Sequence, residues 1–366
     1  MKLSHRDIVR VGVDLAKSVA QVHGVALDGR VIVARQLPRR ELLDWCLKLE
    51  PGCTVAMEAC SSAHLLARQL NAAGLQARLI SPSFVAPYRL TGVTGKNDAT
   101  DAEAICEAAS RPRMRYVPAK TLDQQSWLAI HRLREGYVKD HSAWVNRMRA
   151  VLFEFGVDVP KAIYRFAENM NDALTAHADE LPSMIQEAAN RHVEQFAHLE
   201  KAIEWCDEQI NRHLQVDMNA QRALTVRGIG RLSASALAAS VGDLSQFNNA
   251  RQFSAWLGLV PSQRSTGGKQ RLGKITKRGD SYLRSLMVLG AKSVIAKKPK
   301  SQDRVYDWAM QLRERIGWRK ATVALANKNA RLLWGTLNHW DSPGRRPSQF
   351  DSSRKLSRLI RDKPAA

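Results

Sequence analysis

The sequence predicts an α/β domain, then a long helical segment with coiled-coil spacing, then an all-α basic domain, over a chain of 366 residues. In the first part, short runs rich in β-branched residues alternate with segments of helical apolar spacing. In the middle part, apolar residues recur three or four positions apart. In the last part, glycine-containing turns separate helical segments that carry most of the positive charge. We place the parts at residues 1–115, 116–220 and 221–340, followed by a polar, flexible tail at 341–366.

Five strands and three helices are predicted within residues 1–115. The first three strands are IVRVGVD, VAQVHGVAL and RVIVARQ, and Asp28-Gly29 between the last two is a strong signal for a tight hairpin. Pro38 begins a helical segment. The strand CTVAMEA, the helix SSAHLLARQLNAAG, the strand LQARLIS, a loop and the helix DATDAEAICEAAS follow. Three strands followed by alternating helices and strands is the order of an RNase H-like fold, although several α/β folds share a similar order.

Two long helices are predicted between residues 116 and 220. In the second helix the apolar residues follow the 3-4-3-4 spacing of a coiled-coil seam. These residues are Phe196, Leu199, Ile203, Cys206 and Ile210. In the first helix, apolar residues recur at similar spacing from Ile130 to Phe155. Two such helices running antiparallel can serve self-association or can pack on each other within one chain, and the sequence leaves both open.

A helix, a tight turn and a second helix are predicted from residue 221 onward. The turn is Gly228-Ile229-Gly230. It resembles a helix-hairpin-helix motif, in which glycines let the backbone N–H groups of a helix N-terminus approach a DNA phosphate without reading sequence. The alternative is an αα-corner that needs small residues for close packing.

The distribution of charge indicates a nucleic-acid partner. The net charge is +21. Residues 1–220 contain 27 Lys and Arg against 27 Asp and Glu, whereas residues 221–366 contain 29 against 8. A block of this kind binds polyanions through counterion release. Because the sequence shows no amphipathic membrane helix, we favour nucleic acid over an anionic lipid surface, with a basic face kept only for solubility as the alternative.

The remaining composition indicates a cytoplasmic protein. The five cysteines lack CxxC spacing and are odd in number, which is typical of reduced thiols and argues against a structural zinc site. The first residues, MKLSHRDIVRVGVD, do not have the layout of a signal peptide. The sequence also contains no apolar run of about 18 residues that would span a membrane.

Four acidic residues form a candidate metal site. Asp14 ends the first strand and Glu58 ends the fourth. In an RNase H-like sheet these strands are adjacent, so the two carboxylates would meet at the end that the helix containing Asp98 and Asp101 covers. The i, i+3 spacing places these last two on one helix face. Singly, each acid has an ordinary explanation as a turn former or helix cap. Together they would repel each other unless a divalent cation compensates them, and oxygen ligands suit Mg²⁺ or Mn²⁺.

A basic loop at 262–279 surrounds two hydroxyl side chains. Ser265-Thr266-Gly267-Gly268 stands among six cations. These are Arg264, Lys269, Arg271, Lys274, Lys277 and Arg278. A hydroxyl beside two glycines can donate a hydrogen bond to a phosphate or attack it covalently. Chemistry alone favours the hydrogen bond over covalent attack, because the loop carries no evident general base.

At these residues the chain resembles a known family. The motifs are VGVDLAK around Asp14, MEACSSAH around Glu58 and GKNDATDAEAICEA around Asp98 and Asp101, followed by RGIG, LGLVP, STGGK, LGKITKRGD and YLR. They resemble the insertion-sequence transposases that combine an N-terminal RuvC-like DEDD domain with a C-terminal serine-containing domain, a group that includes the pilin-gene DNA invertases. The resemblance extends from about residue 8 to residue 335.

The resemblance implies a mechanism and partners. Asp14, Glu58, Asp98 and Asp101 would be the four metal-binding acids, and a C-terminal serine would join covalently to a DNA strand end. A structured noncoding RNA (bridge or seek RNA) would pair with donor and target DNA. The working form would be a tetramer, in which the acidic domain of one subunit completes an active site with the serine loop of another. The long helices would serve assembly and RNA holding.

The position of the nucleophile depends on the alignment of the loop. In many relatives the serine directly precedes a glycine, and Thr266 has that position here. Alignment from the downstream KRGD segment, with one gap, places Ser265 there instead. We favour Ser265, since a primary hydroxyl attacks phosphorus with less crowding than a secondary one.

Three functional hypotheses follow. The leading one is an RNA-guided DNA recombinase with a serine nucleophile. The second is a metal-dependent nuclease or junction resolvase, in which water attacks and the serine only binds phosphate. The third is a non-catalytic DNA- or RNA-binding protein with a decayed RNase H-like domain, which the complete set of four acids disfavours.

Overall fold

A computed structural model describes residues 4–89, 98–264, 269, 271–299 and 302–338, apart from the side chains of Asp98, Ala99 and Ile163. The chain divides into two compact units, Met1–Gln124 and Gln125–Ala366. Ser265, Thr266 and the tail from residue 339 onward lie outside the described residues. None of the described helices combines the length and the hydrophobicity of a membrane span.

The first unit is built on a six-stranded mixed sheet. Its strands are β1 (Arg10–Leu15), β2 (Val19–Val25), β3 (Val31–Pro38), β4 (Thr54–Glu58), β5 (Gln76–Ile80) and β6 (Tyr116–Val117). The order across the sheet is β3-β2-β1-β4-β5-β6. The first three strands are antiparallel, β1, β4 and β5 are parallel, and β6 is antiparallel to β5. This mixed sheet with its helices is compatible with the predicted RNase H-like domain.

Four helices cover the two faces of this sheet. They are α1 (Leu42–Cys46), α2 (Ala63–Ala72), α3 (Pro82–Val85) and α4 (Asp98–Ala109). One core cluster joins β1, β2 and β4 to α1 and α2, and a smaller one joins β4 and β5 to α3 and α4. The helix expected at Pro38 begins later, because Pro38 still belongs to β3 and a short 3₁₀ turn precedes α1.

The hairpin between β2 and β3 forms where Asp28-Gly29 predicts it. Gly29 has a φ of +84°, a conformation that glycine adopts without a Cβ clash. The Asp28 carboxylate accepts hydrogen bonds from the backbone and the side chain of Arg30. A turn of this kind depends on a few adjacent residues, so the local sequence is sufficient to predict it.

In its described residues, the second unit is helical apart from one small hairpin. Its helices are α5 (Leu122–Phe153, whose first turn belongs to the first unit), α6 (Phe166–Ala176), α7 (Ser183–Val216), α8 (Met218–Ala223), α9 (Arg231–Val241), α10 (Ala250–Trp256), α11 (Ser281–Ala296), α12 (Arg304–Ile316) and α13 (Trp318–Asn338). The hairpin is β7 (Pro261–Gln263) and β8 (Leu272–Ile275). One large core cluster joins helices α7 to α13.

The two long helices, α5 and α7, pack on each other in antiparallel directions. Trp144 stacks on His192 with 4.2 Å between ring centroids, and each side chain hydrogen-bonds to the backbone carbonyl of the other residue. Further along, the Arg134 guanidinium makes two hydrogen bonds to the Asp207 carboxylate, at 2.6 and 3.1 Å. Packing within one chain is therefore observed, and self-association through these helices stays a prediction.

A buried polar network fixes α5 to the helices of the C-terminal half. The His131 ring lies 3.0 Å from the Tyr282 hydroxyl and 2.8 Å from the Ser235 hydroxyl, and Ser235 also contacts His213 at 2.8 Å. Burial lowers the pKa of His131 to about 4, so its ring is neutral at pH 7. The network connects α5, α7, α9 and α11.

Candidate active site

Asp14 and Glu58 lie at the carboxyl ends of neighbouring strands. In the parallel pairing of β1 with β4, Val13 is opposite Met57, so the two acids follow at adjacent positions. Both contribute to the electrostatic environment of Cys60 in the loop after β4, whose pKa is raised first by burial and further by these two carboxylates. The first and fourth strands therefore bring these acids together, as the predicted strand order requires.

Helix α4 covers the sheet face on which both acids stand. Side chains alternate between faces along a strand, so Asp14 shares a face with Gly12, and Glu58 shares one with Ala56. A Cβ at Gly12 would lie 2.1 Å from the backbone oxygen of Ala102 in α4. Ala56 packs in the core cluster that contains the buried residues of α4. The glycine thus permits close contact between strand and helix, and this contact brings the first turn of α4 towards the acids.

One arginine joins two of the predicted acids. The Arg89 Nε donates to Asp101 Oδ1 at 2.7 Å, and its Nη2 donates to Glu58 Oε1 at 3.0 Å. Asp101 is only 7% exposed. Asp98 begins α4, but its side chain lies outside the described residues. The structure therefore places Glu58 and Asp101 within reach of a single cationic group, with Asp14 on the neighbouring strand.

The donor set fits a hard divalent cation. Among the described residues, no group of three or more His, Cys, Asp or Glu is arranged as a metal site. The Arg89 guanidinium instead lies between the carboxylates of Glu58 and Asp101, and Asp14 is on the same face of the sheet. Its positive charge offsets the repulsion between these carboxylates. Carboxylate oxygens without sulfur or imidazole favour Mg²⁺ or Mn²⁺. Arg89 is the residue that sequence reasoning missed here, because nothing local to it signals contact with Glu58, 31 positions away.

We expect Arg89→Gln to lower the free energy of unfolding by about 1–3 kcal/mol when divalent cations are removed, because two largely buried carboxylates lose their shared partner. Adding Mg²⁺ should then raise the melting temperature of this variant more than that of the wild type, since the cation no longer competes with a guanidinium. Thermal unfolding in EDTA and in Mg²⁺ measures both effects. Arg30→Gln, which removes an exposed pair with Asp28, is the matched control. If Mg²⁺ raised the melting temperatures of Arg89→Gln and of the wild type by the same amount, the cation would not compete with Arg89 for these carboxylates.

The six cations of the predicted basic loop are all exposed. The loop connects β7 with β8, and the backbone N–H of Arg264 donates to the carbonyl of Arg271 at 3.0 Å. Ser265 and Thr266 directly follow Arg264 but lie outside the described residues. The hairpin therefore brings together the cations that precede and follow the two hydroxyl residues in the chain.

Glycine contacts fix the base of this hairpin. A Cβ at Gly279 would lie 2.0 Å from the backbone oxygen of Trp256, and a Cβ at Gly258 would lie 2.9 Å from the backbone nitrogen of Arg278. The backbone N–H of Lys277 donates to the carbonyl of Gly258 at 3.1 Å. Asp280 then caps α11 by accepting from two backbone N–H groups. The motifs LGLVP and KRGD are thus packed against each other and hold both ends of the basic loop.

The two glycines of the Gly228-Ile229-Gly230 turn have different surroundings. Gly228 has a φ of +85°, and a Cβ there would lie 2.8 Å from the amide nitrogen of Asn329 in α13. A Cβ at Gly290 of α11 would lie 1.8 Å from the Gly228 carbonyl oxygen. Gly230 is exposed at the start of α9, with open space around it. Close packing against α11 and α13 thus explains the glycine at position 228. Of the two glycines, only Gly230 has open space in which a DNA phosphate could approach.

Two family models match different parts of the chain. A family model described as "Transposase IS116/IS110/IS902 family" matches residues 220–306, which include the basic loop. A model for DEDD transposases of the IS110 type matches residues 11–156, which include all four acids.

Similar curated proteins cover nearly the full chain. A probable family 20 transposase from Pseudomonas aeruginosa is 47% identical over 91% of this chain and 97% of its own length. The transposase for insertion sequence element IS1328 from Yersinia enterocolitica is 38% identical, over 90% and 96%. The transposase for insertion sequence element IS1111A from Coxiella burnetii is 37% identical, over 93% and 92%.

Proposed function

Because this chain belongs to the IS116/IS110/IS902 family of insertion-sequence transposases, enzymes that cleave and recombine DNA, we propose that it exchanges DNA strands by means of the acidic cluster and a serine nucleophile, under RNA guidance. The observation that carries the proposal is that the Arg89 guanidinium binds both Glu58 of β4 and Asp101 of α4, with Asp14 at the end of the strand next to β4.

The acidic cluster would hold Mg²⁺ or Mn²⁺. Asp14, Glu58 and Asp101 would supply oxygen ligands, and Asp98 would join them as the residue one helical turn before Asp101. When bound, the cation would stabilise the charge that develops on the phosphate oxygens during phosphoryl transfer. Arg89 would release its carboxylates and remain next to them, where its guanidinium could bind the scissile phosphate.

Ser265 would be the nucleophile, with Thr266 as the alternative. Its hydroxyl oxygen would attack the phosphorus, an Oγ–P bond would form, and the bond from phosphorus to the leaving strand oxygen would break. The hydroxyl proton would pass to solvent, and the leaving oxygen would take one up. A strand end from the second DNA would reverse these steps and restore the serine. The exposed cations beside Ser265, including Arg264 and Lys269, would hold the phosphodiester.

The partners would be DNA, a structured guide RNA and further copies of the chain. The excess of positive charge after residue 221 suits contact with nucleic-acid backbones, which carries no sequence information. Base pairing by the RNA would then specify the donor and target sequences. The helices α5 and α7 would contribute to a tetramer, a dimer of dimers, in which acids and serine come from different chains.

We expect wild-type protein and Thr266→Ala to form a covalent protein–DNA adduct, and Ser265→Ala to form none, because only the attacking oxygen makes the bond. The assay uses the full chain with its co-purified RNA and a labelled DNA fragment carrying the element's own terminus, followed by denaturing electrophoresis. An adduct in Ser265→Ala that is absent from Thr266→Ala would assign the nucleophile to Thr266. Metal-dependent cleavage without an adduct in any variant would instead indicate that water is the nucleophile.

A further inference from the structure

An open cleft lies beside the acidic cluster in the first unit. It has a volume of about 540 Å³ and is formed by α3 with the turn after it and by the segment after α4. The side chains that define its chemistry are Phe84, Pro87, Tyr88, Arg111, Arg113 and Arg115. Its volume is within the range of roughly 300–1,000 Å³ that is typical of sites for small molecules. Neither the proposed metal site nor the basic loop makes use of this cleft.

The cleft combines aromatic rings, one exposed and one half-buried, with arginines. Phe84 is 41% exposed, although it belongs to a short helix with a buried neighbour, Val85. The Arg111 guanidinium lies 5.5 Å from the Tyr88 ring centroid and is paired with Glu107. Arg113 and Arg115 are exposed, and neither has an ion-pair partner among the residues that the structure describes. Aromatic faces that stack bases, next to cations that pair with phosphates, are the features of sites for single-stranded nucleic acid.

The position of the cleft relates it to the acidic cluster. Tyr88 lies in the cleft, and the next residue, Arg89, reaches Glu58 and Asp101 with its side chain. A residue of the cleft and the residue that binds both carboxylates are therefore neighbours in the chain. A strand with its phosphate at the acids would have a neighbouring base within reach of Phe84 and Tyr88.

We propose that this cleft binds an unpaired DNA nucleotide next to the phosphate that is cleaved, its base on Phe84 and Tyr88 and its phosphate on Arg113 and Arg115. The proposal rests on the proposed function, which places a DNA strand at the acids. A base within a duplex is already stacked on both faces, so the cleft selects a base that has left the stack. DNA rather than RNA is the occupant, because Tyr88 of the cleft directly precedes Arg89, which binds two of the acids at which the proposed function places a DNA strand.

The test is photochemical cross-linking of the full chain to an oligodeoxythymidylate that contains 5-iododeoxyuridine, in EDTA. We expect cross-links on the peptides that contain Phe84 or Tyr88. Either Phe84→Ala or the double change Arg113→Ala with Arg115→Ala should reduce their yield by about fivefold or more, the lower limit for loss of one base–aromatic contact. Matched controls in the same unit are Leu47→Ala and Arg6→Ala, which change side chains of similar exposure away from the cleft.

Four outcomes would overturn the proposal: no cross-link to the cleft in the wild type, equal cross-linking by oligouridylate, equal cross-linking by a fully paired duplex, or an unchanged yield in both cleft variants. The cross-link requires neither metal nor Ser265. If the wild type forms the covalent adduct but gives no cleft cross-link, only the nucleotide site is wrong. If the cleft cross-link forms but no variant or wild type gives an adduct, only the serine mechanism is wrong.

Discussion

Asp14→Asn is expected to reduce the rate of DNA strand cleavage by about a thousandfold, equivalent to about 4 kcal/mol of lost transition-state stabilisation. The substitution keeps the shape of the side chain but removes one negative charge from the cluster that Glu58 and Asp101 share. A cation held by fewer charged oxygens binds more weakly and compensates the transferring phosphate less well. The fold should persist, because the change removes repulsion between neighbouring carboxylates.

The matched control is Asp44→Asn, an equivalent change at an exposed position of α1. Cleavage of labelled terminal DNA at several Mg²⁺ concentrations separates weaker metal binding from loss of chemistry. Circular dichroism melting verifies that both variants are folded. If Asp14→Asn cleaves DNA at the wild-type rate, Asp14 takes no part in cleavage and the proposed acidic centre is wrong.

The elements that were predicted correctly depend on local patterns. Asp28-Gly29 specifies its hairpin within a few residues, and the alternating β-branched runs specify β1 to β3. Helical character was predicted throughout residues 120–220, but α6, Phe166–Ala176, was not predicted as a separate helix, since its buried apolar positions are only Phe166 and Met170. The two-residue strand β6 exists because it pairs with Leu79 and Ile80 of β5, which its own sequence cannot reveal.

Prediction of the candidate site is likewise limited to what local sequence patterns and strand order can show. Strand order and helical spacing predict that Asp14, Glu58 and Asp101 lie at one end of the sheet. The contact of Arg89 with Glu58 depends on tertiary packing and has no local signal. The environment of the Gly228 turn is also set from a distance, by Gly290 and by Asn329, which donates to the carbonyl of the residue before Gly228. A short glycine turn has the same sequence whether it packs on a helix or approaches a phosphate.

The second large effect is expected when two inactive variants are combined. Asp14→Asn retains the serine loop, and Ser265→Ala retains the acids. If each active site takes acids from one chain and serine from another, co-expressed variants should regain the covalent adduct that neither forms alone. In a random equal mixture, about a quarter of the composite sites receive both functional parts. The adduct should appear on the Asp14→Asn chain alone, because only that chain carries the nucleophile.

Tags of different mass on the two variants distinguish the labelled chain on a denaturing gel, and sequential purification through both tags verifies that mixed oligomers are present. The control is a chain that carries both Asp14→Asn and Ser265→Ala. It is co-expressed with Thr266→Ala in the same way, and it shows how mixing active with inactive chains changes the amount of adduct. Mixed oligomers without an adduct would contradict a shared site and would mean that acids and serine act within one chain. An adduct on the Ser265→Ala chain would instead exclude Ser265 as the nucleophile, whichever chain supplies the acids.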